Sequence, residues 1–239
     1  MTSTQPLTDF EWFRDPAGYE LLAGRAAAYL CQPPVEGVSI FTIPPQLAPL
    51  PAQPERIVRG GGQLQPYRPF EYFSRLFDQF SKDDSPKGLL NFVERFGPLT
   101  NDGCDPKQGE DVTVLAKHAT QMRRLLDAYA SGQKSAMAGI LGPKGAELGN
   151  SPIGELQGRL IFDPATERPR LRLIPKNLLN AIWLELAQCV TEGAPLKACL
   201  QCGEFFEYGV GTPRRADAKF CSDEHRVAFN SRKRSLVDA

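Results

Sequence analysis

Residues 199–206 read Cys-Leu-Gln-Cys-Gly-Glu-Phe-Phe, and residues 220–226 read Phe-Cys-Ser-Asp-Glu-His-Arg. The first stretch contains a C-x2-C pair and the second a C-x3-H pair. Such spacings are typical of tetrahedral Zn²⁺ sites with three thiolate ligands and one imidazole ligand. A chance arrangement is less favoured, because two paired spacings of this kind are a specific signal. A disulfide is less favoured still, because nothing at the N-terminus resembles a secretory signal. The sequence therefore predicts one zinc site, held by Cys199, Cys202, Cys221 and His225.

Local patterns place these ligands on a turn and on a helix. Gly203 follows the second cysteine and can adopt the positive φ that a tight turn requires. Ser222 is a good helix N-cap, and the two acidic residues after it suit a first helical turn. Cys221 then lies at the start of the helix and His225 one turn inside it, so both side chains can face one metal ion.

In a treble clef, a ligand-bearing turn is followed by a short hairpin and then by a helix that carries the last two ligands. The Cys-x-x-Cys-Gly-x-x-Phe opening and the Phe-Cys-Ser-x-x-x-ligand-Arg close resemble the CGNR-type zinc fingers of bacteria. These are small C-terminal modules regarded as DNA-binding parts of transcription regulators. Where the family has a last cysteine followed by Gly-Asn-Arg, this chain has His225-Arg226-Val227-Ala228. The resemblance implies a treble-clef-like zinc finger over residues 195–235.

Composition sets limits on the class of protein. The chain has 239 residues, of which 41% are apolar and 23% are charged, as in a globular protein. Its 28 basic and 28 acidic residues give a formal net charge of zero, so any contact with nucleic acid must be local. The sequence has no signal-like N-terminus and no long apolar run, so we expect a cytoplasmic protein without a membrane partner. The three cysteines outside the motif are scattered, which fits a reducing compartment.

The rest of the chain predicts an α+β protein, with a mainly helical N-terminal domain and a small β-hairpin before the finger. We expect a helical segment over residues 1–32. Prolines and glycines dominate residues 33–69, which we interpret as a linker or a wrapping segment. Residues 70–193 predict an α-rich domain, whose alternating residues over 156–174 indicate the hairpin.

Two sets of apolar residues recur at helical spacing. The first follows Pro16 and consists of Tyr19, Leu22, Ala26 and Tyr29. The second is an aromatic stripe, which either packs a core or stacks nucleic-acid bases, and core packing is favoured. Its members are Phe70, Phe73, Phe77 and Phe80.

The motif favours a structural metal over a catalytic one. A catalytic zinc keeps one coordination position open for water, whereas four protein ligands close the site, so we expect that the chain is not an enzyme. A nuclease of the HNH type also needs histidines beyond the structural site. The other histidine, His118, lies at the edge of the apolar face of a helix predicted over 112–130. We expect it to have a hydrogen-bonded structural role.

A basic surface is the remaining functional signal. On the predicted C-terminal helix, a basic stripe lies about 100° from the face of His225. Acidic neighbours keep the local charge near zero, so a solvated surface is the alternative. The favoured interpretation is a DNA-binding transcription regulator. The second is a protein-interaction or scaffolding protein with a purely structural zinc module, and a protein partner or a homodimer fits either one. The candidate nucleic-acid contacts are Arg214, Arg215, Lys219, Arg226, Asn230, Lys233 and Arg234.

Overall fold

A computed structural model describes residues 10–22, 55–72, 75–100, 109–141, 156–163 and 167–237. Its strands are β1 (Trp12–Arg14), β2 (Tyr19–Leu22), β3 (Arg56–Arg59), β4 (Gln65–Tyr67), β5 (Glu110–Asp111), β6 (Leu156–Asp163), β7 (Arg168–Pro175), β8 (Leu196–Ala198) and β9 (Phe205–Glu207). Its helices are α1 (Pro69–Tyr72), α2 (Leu76–Ser81), α3 (Pro86–Phe96), α4 (Val112–Ala130), α5 (Lys134–Leu141), α6 (Leu178–Thr191) and α7 (Asp223–Val237).

Small antiparallel sheets surround a helical core. Strand β1 pairs with β4, β2 with β3, β3 with β5, β6 with β7, and β8 with β9. Helices α2, α3, α4 and α6 contribute most of one buried cluster, which also takes apolar side chains from the strands. The α+β class predicted from the sequence is therefore confirmed. Within the described ranges, no helix combines the length and apolarity that a bilayer crossing needs.

The N-terminal segment differs from the sequence prediction. Tyr19–Leu22 is a strand that pairs with Arg56–Arg59, and Trp12–Arg14 is a strand as well. The helix expected over residues 1–32 is wrong at these positions, and residues 23–32 lie outside the described ranges. The apolar spacing fits a helix, but the backbone bonds to a strand from a distant part of the sequence. Periodicity within one segment cannot report such a partner.

Residues 55–69, predicted as part of a linker or wrapping segment, wrap onto the N-terminal strands. The carboxylate of Asp15 accepts hydrogen bonds from the backbone N–H groups of Gly61 and Gly62, at 3.2 and 3.0 Å. It also pairs with the guanidinium of Arg59 at 3.1 Å. Burial would raise the pKa of Asp15, but hydrogen bonds from the backbone and from Arg59 hold it below its usual value. An ionised carboxylate therefore fixes this crossing of the chain.

The aromatic stripe lies on two short helices rather than one. Helices α1 and α2 are separated by Arg75, whose φ of 57° is a left-handed conformation that interrupts a helix. Phe77 and Phe80 are buried in the core, and Phe70 packs against it. Core packing is thus confirmed for these rings, which are not available to stack nucleic-acid bases. Phe73 lies outside the described residues.

The long helix predicted over 112–130 is α4, with the predicted bounds. Its His118 accepts a hydrogen bond at Nδ1 from Nε1 of Trp183 on α6, at 3.1 Å. Burial lowers the pKa of His118 to about 4, so the imidazole is neutral at pH 7 and can act as an acceptor. The predicted structural role of this histidine is confirmed.

A half-buried carboxylate from α6, that of Glu185, caps the start of α2. Oε1 of Glu185 accepts the backbone N–H of Arg75 at 2.5 Å, and Oε2 accepts that of Phe77 at 3.3 Å. These are N–H groups that a helix leaves without an internal partner, and the residue before α2 supplies no side-chain cap. Burial outweighs the hydrogen bonds and raises the pKa of Glu185 to about 7.

Glu185→Gln tests this cap through the pH dependence of stability. Because burial raises the pKa of Glu185 from 4.5 to about 7, the folded chain binds more protons than the unfolded chain between these values. This residue therefore lowers the free energy of unfolding as the pH rises through that range. The glutamine variant lacks the titrating proton, so its free energy of unfolding should fall less over this range. The two falls should differ by about 3 kcal/mol at most.

Urea unfolding of both proteins between pH 4.5 and 7 measures the difference. Asp78, whose pKa is also raised by burial, is present in both proteins, so its contribution cancels. The part of the difference that does not change with pH reports the lost hydrogen bond. Curves that differ by a constant offset alone would contradict the assignment of the titrating proton to Glu185.

Candidate metal centre

The first two cysteines lie on the turn that joins β8 to β9. The backbone N–H of Cys199 donates to the carbonyl of Glu204 at 2.9 Å, and that of Gly203 donates to the carbonyl of Cys199 at 2.8 Å. Gly203 has a φ of 73°, as its position after the second cysteine predicted. These bonds fold the turn so that Cys199 and Cys202 lie on its inner side, with their sulfur atoms close to those of the second pair.

The second pair lies at the start of α7. The backbone N–H of Leu200 donates to the carbonyl of Lys219 at 3.1 Å, which brings the chain back beside the turn just before Cys221. Ser222 caps the helix, because its hydroxyl accepts the backbone N–H of His225 at 3.2 Å. The predicted N-cap is confirmed, and the first turn of α7 sets the direction of the imidazole.

The four predicted ligands converge on one point, since all their ligating atoms lie within 4.8 Å of one another. The sulfurs of Cys202 and Cys221 are 3.8 Å apart. Two sulfurs at tetrahedral angles around Zn²⁺, each about 2.3 Å from it, would be separated by about 3.8 Å. Nδ1 of His225 lies 2.9 Å from the sulfur of Cys221 and 3.8 Å from that of Cys199. The donor set and the sulfur–sulfur separation therefore suit a tetrahedral divalent cation, whereas the distance from Cys221 to His225 is shorter than the roughly 3.6 Å expected between a sulfur and a nitrogen bound to one Zn²⁺.

The surroundings of the turn favour a thiolate at its first position. Burial opposes ionisation of Cys199, but backbone N–H groups of Cys202, Cys221 and Gln201 lower its pKa to about 6. Burial and the neighbouring thiols raise the pKa of Cys221 to about 12. A cation that binds here must displace the remaining thiol protons, so metal affinity depends on pH.

Three side chains of the helical core hold the residues that follow Cys202. The backbone N–H of Phe205 donates to Oδ2 of Asp78 at 3.1 Å, and its carbonyl accepts from Arg75 at 3.2 Å. Arg123 on α4 donates to the carbonyl of Gly203 at 3.0 Å, and its guanidinium lies 4.6 Å from the ring centre of Phe205. The turn that carries Cys199 and Cys202 is thus fixed to α2 and α4 by side chains that no sequence pattern singled out.

Packing also connects the turn to the core. Leu196 and Phe205 are buried and belong to the same apolar cluster as residues of α2, α3, α4 and α6. Asp78 is buried beneath them, and burial raises its pKa to about 6 despite the hydrogen bond from Phe205 and the charge of Arg123. No local sequence signal marks Asp78 or Arg123, because their partners lie far away along the chain.

The candidate nucleic-acid contacts are partly brought together. Arg214 and Arg226 both approach Asp223, at 3.8 and 3.6 Å, so the loop before α7 and its first turn meet around one carboxylate. Arg215 and Lys219 are exposed on that loop. Asn230 is exposed one turn after Arg226. Lys233 and Arg234 lie within α7, but their side chains are outside the described structure.

Fold and site together define an α+β protein with a Cys3His cluster that can hold a metal ion near its C-terminus. Comparisons of the chain with protein-family models, with curated proteins and with solved structures find no match. The residues of the site and their geometry are therefore the basis for its function.

Elemental analysis should find about one zinc ion per chain in the purified protein, because three thiolates and an imidazole match the preference of Zn²⁺. We expect Cys202→Ser to lose most of this metal, since three ligands remain. Cys189→Ala is the matched control, because Cys189 is a thiol outside the cluster. Equal zinc content in Cys202→Ser and wild type would contradict the ligand assignment.

Removal of the metal by a chelator should raise the rate of amide hydrogen exchange in α7 but not in the hairpin β8–β9. The four candidate metal ligands connect α7 to the turn, whereas the contact of Phe229 with Phe220, whose ring centres are 5.3 Å apart, joins α7 only to the loop before it. The hairpin is anchored in the core through Leu196 and Phe205. Amides of α7 are therefore expected to exchange faster without metal while those of β9 stay protected.

Zinc added back after chelation should restore the protection of α7. Equal loss of protection in β9 and α7 would show that the hairpin also depends on the metal. Unchanged exchange in α7 would show that the cluster contributes nothing to the folding of this helix.

Proposed function

We propose that this chain is a zinc-dependent, nucleic-acid-binding transcription regulator, in which residues 195–235 are a treble-clef-like finger of the CGNR type. The observation that carries the proposal is the exposed basic surface of α7 and its preceding loop, directly beside the Cys3His cluster. The cluster orients the first turn of α7 because it holds Cys221 and His225. The helix is thereby presented as a rigid element.

The metal in this proposal is Zn²⁺ with a structural role. Soft thiolates and one imidazole select zinc over the hard cations Mg²⁺ and Ca²⁺, which prefer oxygen ligands. Four protein ligands leave no position for a metal-bound water, so the proposed protein is not an enzyme. The metal would hold the β8–β9 turn and α7 at a fixed angle to each other.

The acidic and basic residues of α7 lie in different parts of the helix. Asp223 and Glu224 lie in the first turn, where negative charge stabilises a helix through its dipole. Asp223 is also engaged by Arg214 and Arg226. From residue 226 to residue 237 the helix has no acidic residue. The basic residues in that stretch are Arg226, Arg232, Lys233 and Arg234.

The dimensions of α7 suit such a contact. A helix of 15 residues is about 22 Å long, and the major groove of DNA is wide enough to admit a helix. Because the chain has no net charge, attraction to phosphates must come from this local surface. Exposed Arg215 and Lys219 on the adjoining loop extend it beyond the helix.

A second candidate function is protein interaction or scaffolding with a purely structural zinc module. Exposed apolar side chains on the same module favour it, since Leu200 and Val227 are 56% and 58% exposed. In that case the basic side chains would form a solvated rim. Salt dependence separates the two functions, because apolar contacts do not release counterions.

The triple variant Arg226→Ala, Lys233→Ala and Arg234→Ala should bind duplex DNA more weakly than wild type. None of these residues is a metal ligand, so zinc content and fold should be unchanged. The slope of log affinity against log salt should become shallower by about one for each phosphate contact removed. Fluorescence anisotropy with one labelled duplex at several salt concentrations measures both effects.

The matched control is Lys117→Ala with Arg124→Ala, which removes exposed basic side chains from α4. The control should bind with the affinity and salt slope of wild type. Two outcomes would favour the protein-interaction function. In the first, the wild-type protein shows no salt-dependent binding to duplex or single-stranded DNA. In the second, the triple variant binds DNA as wild type does.

A further inference from the structure

The sulfur atoms of Cys202 and Cys221 lie beside each other although they belong to different elements. Cys202 is on the turn that joins β8 to β9, Cys221 precedes α7, and their Sγ atoms are 3.8 Å apart. The hydrogen bond from the backbone N–H of Leu200 to the carbonyl of Lys219, at 3.1 Å, keeps the two segments adjacent. The sulfurs of a disulfide are about 2.0 Å apart, so these two would have to approach by about 1.8 Å. Rotation of the two side chains can supply a movement of this size.

These two sulfurs also differ from the third thiol of the cluster in their access to solvent. Cys202 and Cys221 are partly exposed, whereas Cys199 is buried with 3% of its surface exposed. Cys221 in addition lines a groove of about 1020 Å³ beside α2 and α3, whose walls include the charged side chains of Lys82 and Arg214. A small polar oxidant can therefore reach Cys221 from the solvent.

Metal binding prepares the cluster for such an oxidant. The thiolate is the nucleophilic form of cysteine, and a cation that binds in the cluster displaces the thiol protons. A sulfenic acid that forms on one cysteine condenses with a neighbouring thiol to give a disulfide. Cys221 and Cys202 supply the accessible sulfur and its neighbour.

Cys189 on α6 is a thiol without these properties. It lies outside the cluster, and burial raises the pKa of its thiol to about 11, so it is protonated at pH 7. We therefore expect Cys189 to stay reduced under conditions that oxidise the cluster.

We propose that a hydroperoxide converts Cys202 and Cys221 into a reversible disulfide, and that this oxidation releases the metal. The inference rests on the zinc centre of the proposed function and adds a redox-sensitive modification site to it. After oxidation Cys199 and His225 remain as ligands, and two protein ligands hold Zn²⁺ less tightly than four.

The reaction takes two electrons from the two thiolates. The thiolate of Cys221 attacks one oxygen of hydrogen peroxide, the O–O bond breaks and hydroxide leaves, so Cys221 becomes a sulfenic acid. The thiolate of Cys202 then attacks the sulfur of Cys221, which forms the S–S bond and releases a second hydroxide. The peroxide is thereby reduced, and the two hydroxide ions take up protons from the solvent.

Cys199 is the cysteine that remains a thiol. Its backbone N–H donates to the carbonyl of Glu204 at 2.9 Å, and its carbonyl accepts from the backbone N–H of Gly203 at 2.8 Å. The competing disulfide, between Cys199 and Cys202, would have to form inside a turn whose backbone these bonds fix. The burial of Cys199 also shields its sulfur from the oxidant.

Oxidation should loosen the orientation of α7 without detaching its start. In the metal centre α7 is held through Cys221 and, one turn later, through His225. The disulfide keeps the first of these connections only. The β8–β9 turn stays anchored, because the backbone N–H of Phe205 still donates to Asp78. The basic part of α7 then loses its fixed direction, which under the proposed function weakens DNA binding.

Peroxide treatment of the full-length zinc-loaded protein tests the proposal, with released zinc measured by a coloured indicator and disulfides by peptide mass. Trypsin places Cys199 and Cys202 in one peptide, residues 198–214, and Cys221 in another, residues 220–226. Oxidised wild type is expected to release its zinc, to contain a cross-link between these two peptides, and to keep Cys199 open to alkylation. A phosphine reductant should remove the cross-link and restore zinc binding. Amides of α7 should exchange faster in the oxidised protein, while those of β9 stay protected.

Cys189→Ala is the matched control, because it removes a thiol outside the cluster, and it should release zinc and form the cross-link as wild type does. Cys199→Ser should also form the cross-link, because both cysteines of the proposed disulfide remain.

Zinc that stays bound after peroxide treatment, with all cluster thiols open to alkylation, would overturn the proposal. A disulfide within residues 198–214, or oxidation that the reductant cannot reverse, would also overturn it. Purified protein without zinc would contradict the metal of the proposed function instead. The peptide masses would still show whether Cys202 and Cys221 form the disulfide, so the two failures are distinguishable.

Discussion

The hydrogen bond from the backbone N–H of Phe205 to the buried carboxylate of Asp78 is the contact on which the C-terminal part of the molecule depends. Metal ligation requires four side chains to point at one centre to within a few tenths of an ångström. The turn between β8 and β9 can present two of them only if its backbone is held in place. Asp78 holds it, and α2 holds Asp78, because Glu185 fixes the start of that helix.

At three places in the described structure, a carboxylate accepts backbone N–H groups that lie outside the hydrogen bonding of a helix or sheet. Asp15 accepts N–H groups of a glycine turn, Glu185 accepts those at the start of α2, and Asp78 accepts one at the start of β9. Their pKa values differ because their surroundings differ. Arg59 and several donors keep Asp15 ionised, whereas burial dominates at Glu185 and Asp78. Each carboxylate satisfies backbone groups that no helix or sheet could reach.

The formal net charge of the chain is zero, but acidic and basic residues are separated from each other locally. On α7 the acidic residues lie in the first turn and the basic residues follow, which satisfies the helix dipole and leaves a cationic outer part. On the hairpin β6–β7, alternation separates exposed arginines from exposed leucine and phenylalanine side chains. The proposed contact with nucleic acid uses the cationic part of α7 and does not require a charge to be buried.

Features that depend on a few neighbouring residues could be predicted from the sequence. The spacing of Cys199, Cys202, Cys221 and His225 identified the metal cluster, and capping and periodicity gave α4 its bounds and Ser222 its role. These patterns report bonds that close within one or two turns of chain.

The remaining features depend on contacts between residues that are far apart in the sequence. Residues 19–22 form a strand because a partner strand lies at residues 56–59, and the helix expected at residues 70–80 breaks where Arg75 meets Glu185. Asp78 and Arg123 support the turn of Cys199 and Cys202 through contacts with residues more than 70 positions away. A sequence pattern records what a residue does to its neighbours, whereas these contacts exist only after the chain has brought distant segments together.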